Sequence, residues 1–193
     1  MTTLPLEFYR QQDVVQLGQD LLGKFLMADF GQGPIGGMIT ETEAYRGPED
    51  RASHAYNNRK TKRNQVMYRK GGVCYVYLCY GIHHLFNVVT NTADIPHAIL
   101  IRALAPFKGD KLLTALHRLN GPGVLTKALG IRTAHSGLAL DRPPIWIEDR
   151  QVDIPSQDIE SKPRVGIDYA GPDASLLWRF LVSNNFLSGM EQT

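Results

Sequence analysis

A chain of 193 residues with 43% apolar and 21% charged residues is long enough for one sizeable core and short for two, so a single domain over residues 1–193 is expected. No apolar run approaches the roughly 18 residues of a membrane span, and MTTLPLEFYRQQD lacks a basic segment followed by an apolar one, so a cytoplasmic protein is expected. The formal net charge of +2 says little about partners, but its spread does: NNRKTKRNQVMYRK (57–70) carries six basic residues and no acid, while 141–173 carries eight acids against four basic residues.

The first element is DVVQLGQDLLG, a predicted helix with Asp13 as its N-cap, Gln16 at capping-box spacing, Val14, Leu17 and Leu21 on its apolar face and Gly23 as its stop. KFLMADF and MITETEA follow as strands joined by GQGPIGG. That joint spells G-x-G-x-x-G at Gly31, Gly33 and Gly36, but a strand pattern follows it and Pro34 removes an amide, so it reads as a hairpin turn rather than a phosphate cradle. VCYVYLCY and HLFNVVTN are predicted strands around a break at Gly81, and HAILIRAL is a third. DKLLTALHRLN is predicted helical, with Asp110 as cap and Leu112, Leu113, Leu116 and Leu119 on one side, and PGVLTKALG is a second short helix. IWIED, PRVGID and LLWRFLV complete the pattern as short strands. Cys74 and Cys79 lie five apart in a strand and point to opposite faces, so they are expected to be reduced. The sum is an α+β fold, a mostly antiparallel mixed sheet with helices on its flank.

The stretch ITETEAYRGPEDRASH (39–54) has chemistry in it. Extended-chain alternation puts Ile39, Glu41, Glu43 and Tyr45 on one face, with Met38, Thr40, Thr42 and Ala44 on the other. Two carboxylates at this spacing are roughly 7 Å apart, which suits an inverting glycosidase pair as well as surface ion pairing. Glu43 stands at the strand end, where a reacting group could reach it. Tyr45, His54, Tyr75, Tyr77, Tyr80 and Asn87 supply aromatic and polar groups nearby in sequence. Phenol rings beside a basic segment suit nucleic acid: rings stack on bases while lysines and arginines hold phosphates.

ETEAYRGPEDRASHA, TKRNQVMY, YVYLCYG with Asn87 behind it, ILIRAL, NGPG and PRVGIDYAG together resemble the 3-methyladenine (alkyladenine) DNA glycosylase family. The resemblance runs in order from about Leu22 to Val182. It implies a single domain that inserts a protruding β-hairpin into the DNA minor groove. It also implies a monofunctional hydrolase of the N-glycosidic bond of alkylated or deaminated purines, such as 3-methyladenine, 7-methylguanine, hypoxanthine and ethenoadenine, leaving an abasic site.

By the same resemblance Glu43 activates the attacking water, Arg102 helps to hold it, and the backbone carbonyl of Val165 is a third contact. Tyr45 lies against one face of the extruded base, with His54 and Tyr77 on the other. Asn87 crowds out guanine, and Tyr80 intercalates to fill the gap left by the flipped nucleotide. Arg59, Lys62 and Arg63 are candidate phosphate-binding residues, which implies salt-sensitive binding.

No cofactor and no metal are expected. His83, His84 and Cys79 lack paired ligand spacing, and no lysine is placed for a Schiff base, so strand cleavage is not expected. Val124 departs from the lysine usual after GPG. The expected partner is double-stranded DNA carrying damaged purines, met by a monomer that is cytoplasmic and nucleoid-associated when bound. Two other readings stand beside this one: a non-catalytic nucleic-acid-binding module, and a carbohydrate hydrolase using Glu41 and Glu43.

Overall fold

The computed structural model describes residues 2–108, 111–112 and 119–190. Its strands in chain order are β1 (Thr2–Thr3), β2 (Phe25–Ala28), β3 (Ile35–Tyr45), β4 (Cys74–Cys79), β5 (His83–Thr90) and β6 (His97–Lys108). They continue with β7 (Lys111–Leu112), β8 (Leu119–Asn120), β9 (Asp141–Arg142), β10 (Ile145–Asp149), β11 (Ile159–Lys162) and β12 (Arg179–Val182). Three short helices, α1 (Val14–Asp20), α2 (Pro122–Ala128) and α3 (Asn184–Met190), accompany them with several 3-10 turns. The sheet runs β1-β10-β2-β3-β6-β5-β4, and every pairing among the described residues is antiparallel. This is the α+β class that the alternation of apolar residues predicts.

Strand β3 is the hub. One edge pairs with β6 along Gly37–Tyr45, and the other pairs first with β2 and then, past Thr40, with β12 at Glu41–Glu43. The strict alternation expected over 39–45 fails in its middle. Register shifts on either side of Glu41 leave Thr40 and, opposite, Arg102 outside the Cα pairing. Such irregularities bend a strand and re-aim its side chains. Met38 and Ile39 therefore both enter the main core, while Glu41 and Glu43 both reach Arg102.

The core lies between the sheet and α1. Asp13 caps α1 by accepting from the Val15 and Gln16 backbone N–H groups, while the Gln16 side chain turns forward to Asp20 instead of completing the capping box. Thr42 Oγ1 donates to the Gly18 carbonyl at 2.7 Å, tying β3 to the helix. Gly18 is small for a reason. A Cβ there would meet the Phe180 ring at 3.2 Å, and that fully buried ring packs among Leu17, Ala44 and their neighbours.

The 31–36 joint is a hairpin between β2 and β3, with Gly31 and Gly33 at φ +91° and +88°, the left-handed region open to glycine. Cys74 and Cys79 are free thiols. Other expectations need correction. PRVGID is a loop: Gly166 has φ +71° and residues 164–167 belong to no strand, because their polar groups are spent on side chains rather than a ladder. The helix predicted over DKLLTALHRLN lies mostly outside the described residues. Its described ends, Lys111–Leu112 and Leu119–Asn120, are short strands against β6. Strand β11 and helix α3 had no clear periodicity to announce them.

Candidate active site

Glu43 is fully buried on a strand paired on both sides, to Leu100 of β6 and Arg179 of β12. Its carboxylate is held from three directions. The Val165 N–H donates to Oε1 at 2.8 Å, the Tyr45 hydroxyl donates to Oε2 at 2.8 Å, and Arg102 Nη1 lies 3.4 Å from Oε1. Burial raises the Glu43 carboxyl above the ordinary carboxylate range; Arg102, the Val165 N–H and the Tyr45 hydroxyl oppose that rise, and Glu41 adds to it. The balance lies on the raised side, the direction that strengthens a carboxylate as a proton acceptor.

Arg102 owes its aim to the register shift. Its Nε donates to Glu41 at 2.8 Å, and its backbone carbonyl accepts from the Gly121 N–H of the NGPG turn at 3.0 Å. Glu41 sits with Arg102 on one side and Arg179, at 3.5 Å, on the other. It lines a small polar recess with Thr40 and Asn120, away from the cavity that Glu43 faces. The two glutamates therefore do not flank one substrate, which removes the carbohydrate-hydrolase reading.

The cavity has a volume of about 640 Å³ and is lined by Glu43, Tyr45, His54, Arg63, Tyr77, Tyr80, Asn87, Arg102 and Val165, together with Tyr75, Val124 and Tyr169. His54 Nδ1 lies 3.0 Å from the Tyr75 hydroxyl, and its ring meets Tyr77 edge-on at 4.6 Å. Burial, with Arg63 and Arg59 nearby, lowers His54 to about 4, so its imidazole is neutral at ordinary pH. Asn87 Nδ2 donates to the carbonyls of Tyr75 and Leu85, which fixes the buried amide against the cavity wall.

Strands β4 and β5 form a hairpin whose tip is Tyr80, Gly81 and Ile82. Tyr80 is 90% and Ile82 71% exposed. Tyr80 also has φ +50°, a conformation that costs a non-glycine residue roughly 1–2 kcal/mol. Tyr80 thus combines near-complete exposure with a strained backbone at the hairpin tip.

Among the basic candidates, Arg63 stacks over Tyr77 at 5.1 Å and donates to the Leu78 carbonyl. Arg59 lines an adjoining cleft with Arg51 and Tyr169, and Lys62 lines a groove with Arg63 and Gln65. All three are exposed. The neighbouring Lys60 and Arg69 are engaged within the protein, by Asp94 and the Gly137 carbonyl. His84 Nδ1 accepts from Thr133 and His83 packs against Gly123. Among the described residues no group of three His, Cys, Asp or Glu side chains could hold a metal ion. Val124 is half exposed at the start of α2.

Three features escaped the sequence reading. Val165 meets Glu43 through its N–H, a contact additional to the carbonyl–water contact that the resemblance implies. Ile82 shares the hairpin tip with Tyr80, and its apolar character beside Gly81 was the available signal. Arg164 and Asp50 form a fully buried ion pair; both lie inside quoted motifs, PRVG and GPED, but nothing local in either pairs it with the other.

The model of the methylpurine-DNA glycosylase (MPG) family matches residues 7–186. Among similar proteins, a provisionally named 3-methyladenine DNA glycosylase of Chlamydia felis is 44% identical over 189 residues, covering 93% of this chain and 96% of that one. Proteins named in the same way from Bacillus licheniformis and Bacillus subtilis are 45% and 39% identical, each alignment covering 94% of both chains. The chain is an enzyme, a DNA glycosylase of DNA repair. It belongs to the methylpurine-DNA glycosylase family. Among the described residues no helix is long and apolar enough to cross a membrane.

Proposed function

We propose that the chain excises 3-methyladenine, 7-methylguanine, hypoxanthine and ethenoadenine from duplex DNA, with Glu43 as the base that activates the attacking water. The supporting observation is a wholly buried carboxylate, held by Arg102, Val165 and Tyr45, at the floor of an aromatic-walled cavity. A base in a duplex is out of reach, so the nucleotide swings out and the ring of Tyr80 occupies the vacancy. The purine lies between Tyr45 and the pair of His54 and Tyr77. Water, polarised by Glu43 and steadied by Arg102, attacks the sugar carbon as the glycosidic bond breaks. The carboxylate also faces the developing oxocarbenium charge. Cationic lesions leave readily and are favoured by π-faces. Arg59, Lys62 and Arg63 hold phosphates along the rim. The working form is a monomer, a single domain found in the cytoplasm and on the nucleoid when bound. No lysine forms a Schiff base, so the product is an intact abasic strand. A panel of oligonucleotides, each with one lesion, tests this reading; failure to release free purine from any of them rejects it.

The pH profile follows from the site. Single-turnover excision of the cationic 7-methylguanine should have an acid limb lying above the ordinary carboxylate range, because Glu43 must be ionised and burial resists that. Below the limb the rate falls about tenfold per pH unit. His54, lowered to about 4, adds no second limb in the neutral range. A limb at or below 4.5, the unperturbed carboxylate value, would contradict the raised base.

Asn87 is proposed to reject guanine sterically. The two carbonyl contacts of its amide hold it rigid, so Asn87→Ser opens space at the purine 2-position without moving the wall. Excision of guanine-derived bases should rise by about tenfold relative to adenine-derived ones, equivalent to about 1.4 kcal/mol of discrimination. An unchanged ratio of single-turnover rates would remove Asn87 from the gate.

A further inference from the structure

Arg164 lies beside the cavity without lining it, and both of its terminal nitrogens are engaged. Its side chain and that of Asp50 are both completely buried, and they pair in a fork, Nη1 with Oδ2 at 2.5 Å and Nη2 with Oδ1 at 2.9 Å. Nη1 also donates to the Ala44 carbonyl at 2.8 Å. Ala44 is the residue between Glu43 and Tyr45, so this bond fixes the strand end that carries them. The guanidinium lies 4.7 Å from the centroid of the Tyr45 ring, whose hydroxyl donates to Glu43. Val165, the next residue along, gives its N–H to the other carboxylate oxygen.

These contacts close two short circuits on Glu43, one through Val165 and one through Tyr45, and both pass through Arg164. Taking two charges out of water costs about as much as their attraction returns, so stability alone does not account for the pair. A planar fork held on both sides is instead a means of fixing geometry. We propose that Arg164, clamped by Asp50, is a positioning residue for excision that holds both hydrogen-bond donors of Glu43 in place.

This rests on Glu43 being the base. The groups that face Glu43 are Glu41 and Tyr45 from β3, Arg102 from β6, Tyr77 from β4 and Arg164 from the loop. Only the last is altered in the test. Asp50→Asn with Arg164→Met removes both charges together while leaving an amide oxygen to accept from the Ala52 N–H as Asp50 Oδ1 does. Arg164→Lys keeps the charge and loses the fork.

Single-turnover excision of 7-methylguanine from a duplex is measured from pH 5 to 9 for each variant, with duplex affinity and thermal melting alongside. The double variant should be slowed by about 100-fold at pH 7, the effect of a misplaced reacting group, with affinity unchanged. Its acid limb should move to higher pH, since donors that favour the charged carboxylate have been loosened. Arg164→Lys should fall between it and the parent in both rate and limb. A folded double variant whose limb stays at the parental position overturns the proposal, whatever its rate, because a merely structural pair would alter stability and active fraction alone. If the double variant shows no cooperative melting, Arg164→Lys decides on the same readout. Glu43→Gln run in parallel separates the two levels: if it excises at the parental rate, the base assignment falls; if it is slowed about a thousandfold and the Arg164 variants keep the parental limb, only the positioning role falls.

Discussion

Glu43→Gln lowers the rate of purine release by about a thousandfold, roughly 4 kcal/mol in activation free energy, and leaves duplex affinity unchanged. The amide keeps the volume of the carboxyl and can still accept one hydrogen bond, so the Val165 loop and the Tyr45 ring lose little of their support. What disappears is the ability to take a proton from water and the negative charge beside the oxocarbenium-like sugar. The fold should accept the change. The folded carboxyl has a raised pKa, so its contribution to stability is present below the unfolded carboxylate pKa and is lost as pH rises through the folded one. A neutral amide escapes that loss, and the variant should melt no lower than the parent at pH 8. Single-turnover release with a saturating excess of enzyme, paired with a gel-shift affinity on an uncleavable abasic analogue, checks both halves. Full activity in a correctly folded variant would move the role of base elsewhere.

Tyr80→Ala reduces excision most for lesions that remain well paired and least for those already unstacked. Base–aromatic stacking accounts for about 1–3 kcal/mol, which corresponds to a loss of roughly 5- to 150-fold on hypoxanthine opposite cytosine, shrinking at mismatches and bulges. The free protein gains nothing from the phenol, which is 90% exposed at φ +50°. Tyr80→Asn is the sharper companion, since asparagine tolerates left-handed backbone. It should leave the melting temperature unchanged or higher while excision falls as with alanine. Fluorescence of a 2-aminopurine beside the lesion reports extrusion directly. Equal rates in every pairing context would mean that Tyr80 does not fill the gap.

Much of the architecture is legible in the sequence because the elements are local. The runs KFLMADF, VCYVYLCY, HLFNVVTN, HAILIRAL and IWIED each hold a strand, though β6 continues four residues past the last leucine of HAILIRAL, and Asp13 and Pro122 mark helix starts. The site residues are legible only through motifs, since their meeting is not local: β3 and the 164–167 loop lie more than a hundred residues apart, and nothing in either stretch announces the other. The failures have the same root. Alternation assigns Ile39 to the face of Glu43, and the register shift around Glu41 undoes that. PRVGID has strand composition, but its N–H and guanidinium groups bind Glu43, Ala44 and Asp50 in place of a neighbouring strand.

The pairing of β12 with β3 has an implication for how the enzyme comes into being. Glu43 emerges from the ribosome early, but the amide that grips it belongs to residue 165 and the strand that flanks it begins at 179. A polypeptide that ends before residue 165 has Glu43 without the N–H and the flanking strand that hold it, so the geometry around this carboxylate is completed only by the last part of the chain.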